Sequence, residues 1–147
     1  MKLVGQVAII VGGARGIGAA IAHKFSAEGA SIALVDLDKM KPQLDGVAQA
    51  IARNGGKAIA IAADCTEDRQ VNAMVDETVR RWGKIDILVN SAGFRGPLVP
   101  VQEITDQEWD DVLTINLKLV FLCCRAVLKI MIQQHSGSIV SICGTAG

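Results

Sequence analysis

Residues 7–18 read VAIIVGGARGIG, an apolar run from Val7 to Val11 followed by glycines at 12, 13, 16 and 18. A short continuous apolar run bounded by turn residues predicts a strand buried on both faces, as in a parallel sheet. A helix follows, with Ile17, Ala20, Ile21 and Phe25 on one face and Gly29 closing it. The glycines therefore sit in a tight strand-to-helix turn, where positive φ and the lack of a side chain both count. Unpaired N–H groups at the positive end of that helix offer a seat for a pyrophosphate. A glycine cluster in an arbitrary loop says little, but here a strand, a helix and an acid at the end of the next strand agree.

Outward from this turn the same alternation repeats. Strands are predicted at Ser31–Val35, Ala58–Ala62, Ile85–Val89 and Ile139–Ile142. Between them run helical patterns: Leu44, Val47, Ala48 and Ile51, stopped by Gly55 and Gly56; then Val71, Met74, Val75, Val79 and Trp82, stopped by Gly83. Thr105 and Glu108 have capping-box spacing, and the apolar pattern from Trp109 through Leu113, Leu117, Phe121 and Val127 predicts one long helix to about Gln134. Strand, helix, strand, helix is the pattern of an α/β doubly wound parallel sheet in a single domain over residues 1–147. Five strands are counted, with no closing helix after the fifth.

Composition excludes several classes. Fifteen Lys and Arg balance fifteen Asp and Glu, so no global field draws nucleic acid or an anionic membrane surface. Every apolar run is far short of a bilayer span, and no leader pattern precedes the first strand. Cys65, Cys123, Cys124 and Cys143 show no C-x-x-C spacing, and with only His23 and His135 beside them no metal site is expected. Free, mostly buried thiols suit a cytoplasmic location.

Asp36 lies eighteen residues beyond Gly18 at the end of the second strand, where a carboxylate can accept both hydroxyls of an adenosine ribose and repel a 2′-phosphate. Asp38 competes for that role. Arg15, inside the glycine turn, is the one hint in the opposite direction, since a guanidinium can pair a phosphate. NAD is accordingly the expected cofactor.

The spacing G-x-x-x-G-x-G over Gly12, Gly16 and Gly18 resembles that of the short-chain dehydrogenases/reductases. The resemblance extends over the whole chain and implies a Rossmann-like sheet, here truncated after the fifth strand. It also implies that Arg15, Ile17 and Leu37 join the glycines and Asp36 around the cofactor. By the same resemblance the Asp64 carboxylate meets the adenine amino group and the Cys65 N–H its ring. Asn90, Ser91, Ala92 and Gly93 are similar to the family's N-N-A-G, with Ser91 a departure, and Val11 stands where threonine is common. Asn116, in TINLK, matches the asparagine that helps to organise a proton-relay water. A mid-helix asparagine is otherwise a poor helix former.

The remaining family machinery is a serine after the fifth strand, then a tyrosine and a lysine four residues apart on the next helix. Gly144 takes the serine position, and Thr145 could supply a hydroxyl only if the register shifts by one. The 147 residues contain no tyrosine, so the family's proton donor is not in this chain. The expected activity is hydride transfer between NAD and a small alcohol or carbonyl, with this chain itself inactive; the alternative is a nucleotide-binding module without turnover. A flavodoxin-like domain fits the fold but not Asn90–Gly93 together with Asn116. The resemblance also implies a homo-oligomer, with Trp109, Leu113 and Phe121 facing a partner subunit.

Overall fold

The computed structural model describes residues 1–144. The apolar run Val7–Val11 is a strand, β1, buried along its whole length. With it, β2 (Ser31–Asp36), β3 (Lys57–Ala62), β4 (Ile87–Asn90) and β5 (Ser138–Ser141) alternate with α1 (Gly16–Ala27), α2 (Lys41–Arg53), α3 (Asp68–Trp82), α4 (Asp106–Leu113) and α5 (Leu119–Gln134). Alternate side chains leave a strand on opposite faces, so Ala8 and Ile10 enter one apolar cluster and Ile9 and Val11 another. Both faces of the sheet must then be covered. Ala22 of α1 with Leu44 and Ile51 of α2 cover one face; Val71 and Met74 of α3 with Leu122 and Val127 of α5 cover the other. Each fully buried Ile or Leu in these layers contributes roughly 1.5–3 kcal/mol. That exceeds any difference in local propensity, so the two-sided burial of β1, β2 and β4 sets the architecture.

The sheet order is β3-β2-β1-β4-β5, and every pairing is parallel. The chain winds outward from β1 through β2 to β3, then crosses back to place β4 on the other side of β1. Between β1 and β4 the winding reverses, and loops leaving their C-terminal ends diverge to opposite faces. That divergence opens a crevice at the carboxyl edge of the sheet.

Besides one-residue extensions of β2 to Asp36 and of β3 to Lys57, three expectations from the sequence shift. The first is β4, which begins at Ile87 rather than Ile85, although Ile85 is fully buried. The Gln134 side chain explains this: Ile85 N–H donates to Oε1 at 3.0 Å, and Nε2 donates to the Ile85 carbonyl at 2.8 Å. An amide at the end of α5 therefore takes both main-chain groups that a strand residue would give to a neighbour. Second, β5 begins one residue early because Ser138 N–H donates to the Asp86 carbonyl at 2.9 Å. The same Asp86 accepts from Val7 N–H through Oδ2 at 2.8 Å, so one residue aligns three strands. Third, the long helix after Thr105 is divided by a π turn at Thr114–Lys118. Its start is as expected, with the reciprocal Thr105–Glu108 capping box formed.

At the outer edge, β5 is exposed along its length, including Ile139 and Val140. Among the described residues no helix is long and apolar enough to cross a membrane.

Replacing Gln134 by alanine leaves the buried Ile85 N–H and C=O without partners, at a cost of ~1–3 kcal/mol. Urea unfolding should show a lower midpoint with an unchanged slope; an unchanged midpoint would mean that water takes over both groups.

Candidate functional site

The crevice at the carboxyl ends of β1 and β4 holds a cavity of about 530 Å³. Its floor is the turn after β1. Gly12 N–H and Gly13 N–H both donate to the Val35 carbonyl, at 2.8 and 3.0 Å, which folds the turn back over the end of β2. Gly12 has φ +80°, and a Cβ there would stand 2.6 Å from the Ala92 nitrogen of the loop after β4. A Cβ on Gly18 would stand 2.1 Å from the Gly12 carbonyl oxygen. Backbone thus packs directly on backbone at both places, which only glycine permits.

This packing aims the N-terminus of α1 at the crevice. Arg15 is its N-cap residue and gives no side-chain cap, and the first turn carries no acid. By contrast α4 is capped by Thr105 and has Asp106 and Glu108 in its first turn. The first N–H groups of α1 are therefore left for an outside acceptor, and its positive end is not neutralised.

On the β2 side, Asp36 is held by two main-chain donors: Ala14 N–H to Oδ2 at 3.3 Å and Leu37 N–H to Oδ1 at 2.9 Å. The carboxylate is fixed at the cavity wall together with Leu37, Lys39 and Met40. Beyond β3, the Asp64 Oδ1 accepts from Thr66 N–H at 2.9 Å and from Thr66 Oγ1 at 2.7 Å, shaping the turn into α3. Cys65 also lines the cavity, but its thiol turns into the core, 3.9 Å from the Met74 sulfur.

On the β4 side, Asn90 is buried and ties β4 to β5 by donating from Nδ2 to Ser141 Oγ at 3.2 Å. Ala92 and Gly93 continue into the cavity wall. Asn116 lies in the π turn, and its side chain does a specific job: Phe94 N–H donates to Oδ1 at 2.9 Å, and Nδ2 donates to the Phe94 carbonyl at 2.7 Å. Both ends of its amide are used on the main chain of the β4 loop. π turns interrupt helices where side chains must be re-aimed at a site. Here the extra residue turns Asn116 toward that loop and sets Thr114 and Ile115 on the cavity wall.

Of the residues expected from sequence, Gly12, Arg15, Asp36, Leu37, Asp64, Cys65, Ala92 and Gly93 surround this one cavity. Gly16, Ile17 and Gly18 form the first turn of α1 and are not on the wall; Ile17 is 60% exposed. Asn90 and Asn116 act from behind the wall. Lys39, Asp111, Thr114 and Ile115 line the cavity and carried no sequence signal, apart from the closeness of Lys39 to Asp36. Gly144 is exposed, and a Cβ there would meet nothing within 4 Å, so packing among the described residues does not demand glycine. Thr145 lies outside the described residues. A second cavity, about 420 Å³ between the β3 edge and α3, is walled mainly by Ile59, Ile61, Ala73 and Met74, with Gln70 and Glu77 at its polar side.

Comparison with known proteins places this geometry. A family model described as "short chain dehydrogenase" matches residues 6–147. D-threitol dehydrogenase of Mycolicibacterium smegmatis is 40% identical over 145 residues, covering 99% of this chain and 55% of that protein. A crystal structure of NAD+-bound xylitol dehydrogenase superposes with a TM-score of 0.94 at 35% identity, covering 100% of this chain and 56% of its own. A metagenomic short-chain oxidoreductase in complex with NADP gives 0.92 at 35% identity, over 99% of this chain and 65% of its own. The chain thus spans a little over half the length of the curated relatives it matches.

Asn116→Leu should release the β4 loop while leaving the sheet intact. In hydrogen exchange the Phe94 amide should lose about tenfold in protection, equivalent to ~1.4 kcal/mol of local opening. Unchanged exchange at Phe94 would show that the loop is held by other contacts.

Proposed function

Because the chain belongs to the short-chain dehydrogenase family, we propose that it is the cofactor-binding part of an oxidoreductase that moves a hydride between NAD and an alcohol or carbonyl. The observation that carries the reading is Asp36, a carboxylate held by two main-chain N–H groups at the wall of the crevice, beside a helix end left uncapped. The uncapped N–H groups of α1 would hold the pyrophosphate. Asp36 would accept the two hydroxyls of the adenosine ribose, and Asp64 with the Cys65 N–H would meet the adenine. When bound, the nicotinamide supplies the carbon that gives or takes the hydride.

The chain's own contribution is to bind and orient. Gly12 and Gly18 let the turn approach the β4 loop, and Asn116 holds that loop through Phe94. Proton handling calls for an acid–base group near the substrate oxygen. The family resemblance gives that task to a serine and a tyrosine; the 147 residues contain no tyrosine, and glycine stands at 144. A second reading, a nucleotide-binding module without turnover, rests on the same two departures. The reading includes a cytoplasmic protein that self-associates through α4, the π turn and α5, where Trp109, Leu117, Phe121 and Ile132 are more than half exposed.

The choice between NAD and NADP turns on charge. A 2′-phosphate beside Asp36 meets a like charge, an arrangement that costs several kcal/mol where water is partly excluded. Arg15 and Lys39 on the same wall reduce that cost without removing the carboxylate. Fluorescence titration should therefore show NADH binding at least tenfold tighter than NADPH, a difference of ~1.4 kcal/mol or more. Asp36→Ala should bring the two affinities together. Equal affinities in the unaltered chain would defeat the assignment and make Arg15 and Lys39 the deciding residues.

A further inference from the structure

The outer edge of the sheet at β3 is unguarded. β3 ends the order β3-β2-β1-β4-β5, and no described strand pairs with its far side. Exposed edges are commonly blunted by a charge, a proline or a bulge. Residues 58–62 read AIAIA, with neither charge nor proline, and their register with β2 runs one to one. Ala63 N–H donates to the Asp36 carbonyl at 2.9 Å, and main-chain groups of alternate residues leave a strand on the same side. Ile59 and Ile61 therefore give theirs to β2, while Ala58, Ala60 and Ala62 turn theirs outward. Side chains alternate too: Ile59 and Ile61 pack on the α3 side, Ala58 and Ala60 on the α2 side. Next to the isoleucines lies the cleft of about 420 Å³, bounded by Ala73 of α3.

We propose that a second copy of this chain docks on this edge, antiparallel, about a two-fold axis through Ala60, so that the two sheets become one. The segment from Ala58 to Ala62 reads the same in both directions, which is what an isologous contact requires. Ala60 faces Ala60 of the second copy, and Ala58 faces Ala62, in hydrogen-bonded pairs that use the outward groups. Ile59 then faces Ile61 in non-hydrogen-bonded pairs, where Cα atoms stand about 4.5 Å apart and side chains are closest. The isoleucines of both copies fill the clefts beside α3. A slip of one residue would set outward groups against inward ones and is excluded.

Charge selects the same partner and direction. The first turn of α3 carries Asp68, with Glu67 before it, and its last turn carries Arg80 and Arg81. The helix runs back along the sheet, so its acidic start lies by the carboxyl end of β3 and its basic end by Lys57. An antiparallel second copy sets each acidic end beside a basic one, twice over; a parallel copy sets like against like. The contact is a short strand edge with two helix flanks, at or below the ~1,200–2,000 Å² of a standard interface. The association is therefore weak, concentration-dependent and loosened by salt.

The test is sedimentation velocity on the Phe121→Lys variant, which removes association through the π turn and α5, over a range of concentrations up to about 100 μM. A dimer is expected that dissociates on dilution and in high salt. Ala60→Pro removes an outward N–H and is tolerated on an edge strand; added to Phe121→Lys, it should weaken the dimer at least tenfold with a thermal midpoint close to that of its parent. Ala60→Cys, with Cys143→Ser to remove the exposed thiol, should cross-link through residue 60 under mild oxidation. The facing Cα atoms of such a pair are about 5.5 Å apart, within disulfide range. A chain that stays monomeric throughout would leave the edge to a foreign strand and overturn the proposal. So would a dimer indifferent to Ala60→Pro, or one in which residue 60 does not cross-link. If Ala60→Pro fails to fold, the cross-link at residue 60 decides.

Discussion

The contact on which the rest depends is backbone against backbone: the turn after β1 lies against the loop after β4 with no side chain between them. Gly12 and Gly18 make this possible, because a Cβ at either would sit 2.6 Å or less from main-chain atoms. The contact fixes three things together. It closes the crevice between β1 and β4 from below, directs the uncapped end of α1 into it, and brings Ala14 N–H to the Asp36 carboxylate. The uncapped helix end and the Asp36 carboxylate are thus set by one local geometry rather than by separate devices.

The opposite wall is held by a helix that is deliberately irregular. An asparagine inside a helix costs up to about 0.7 kcal/mol in propensity, and the π turn around Asn116 interrupts the regular helical ladder. Against this stand two side-chain bonds to the main chain of Phe94, each contributing about 1 kcal/mol. The balance favours the interruption, and its product is a loop of defined position. Gln134 acts the same way at the far end of α5, where its amide pairs both main-chain groups of Ile85. Two side-chain amides, about five turns apart, fasten one long helical segment to the two ends of β4.

The β1 turn, the ends of β2 and β3 and the β4 loop meet around one cavity inside the 147 residues. The 147 residues contain no tyrosine. Among the described residues nothing stands within 4 Å of a Cβ at Gly144, so their packing does not require glycine there.

The strand order of events along the chain, the two-sided burial of β1, the glycine turn and the acid at the end of β2 were all legible in the sequence, because each rests on local pattern. Apolar runs, φ requirements and short spacings are properties of neighbouring residues. Tertiary structure alone decided where β4 and β5 begin, since those boundaries depend on Gln134 and Asp86 reaching across the fold to take main-chain groups. The π turn was equally hidden: the apolar period runs through it, and only the distant Phe94 main chain gives Asn116 a reason to break the helix. The placing of Lys39 and Asp111 on the cavity wall has the same origin. Residues far apart in sequence become neighbours only when sheet and helices pack, and no local spacing encodes that distance.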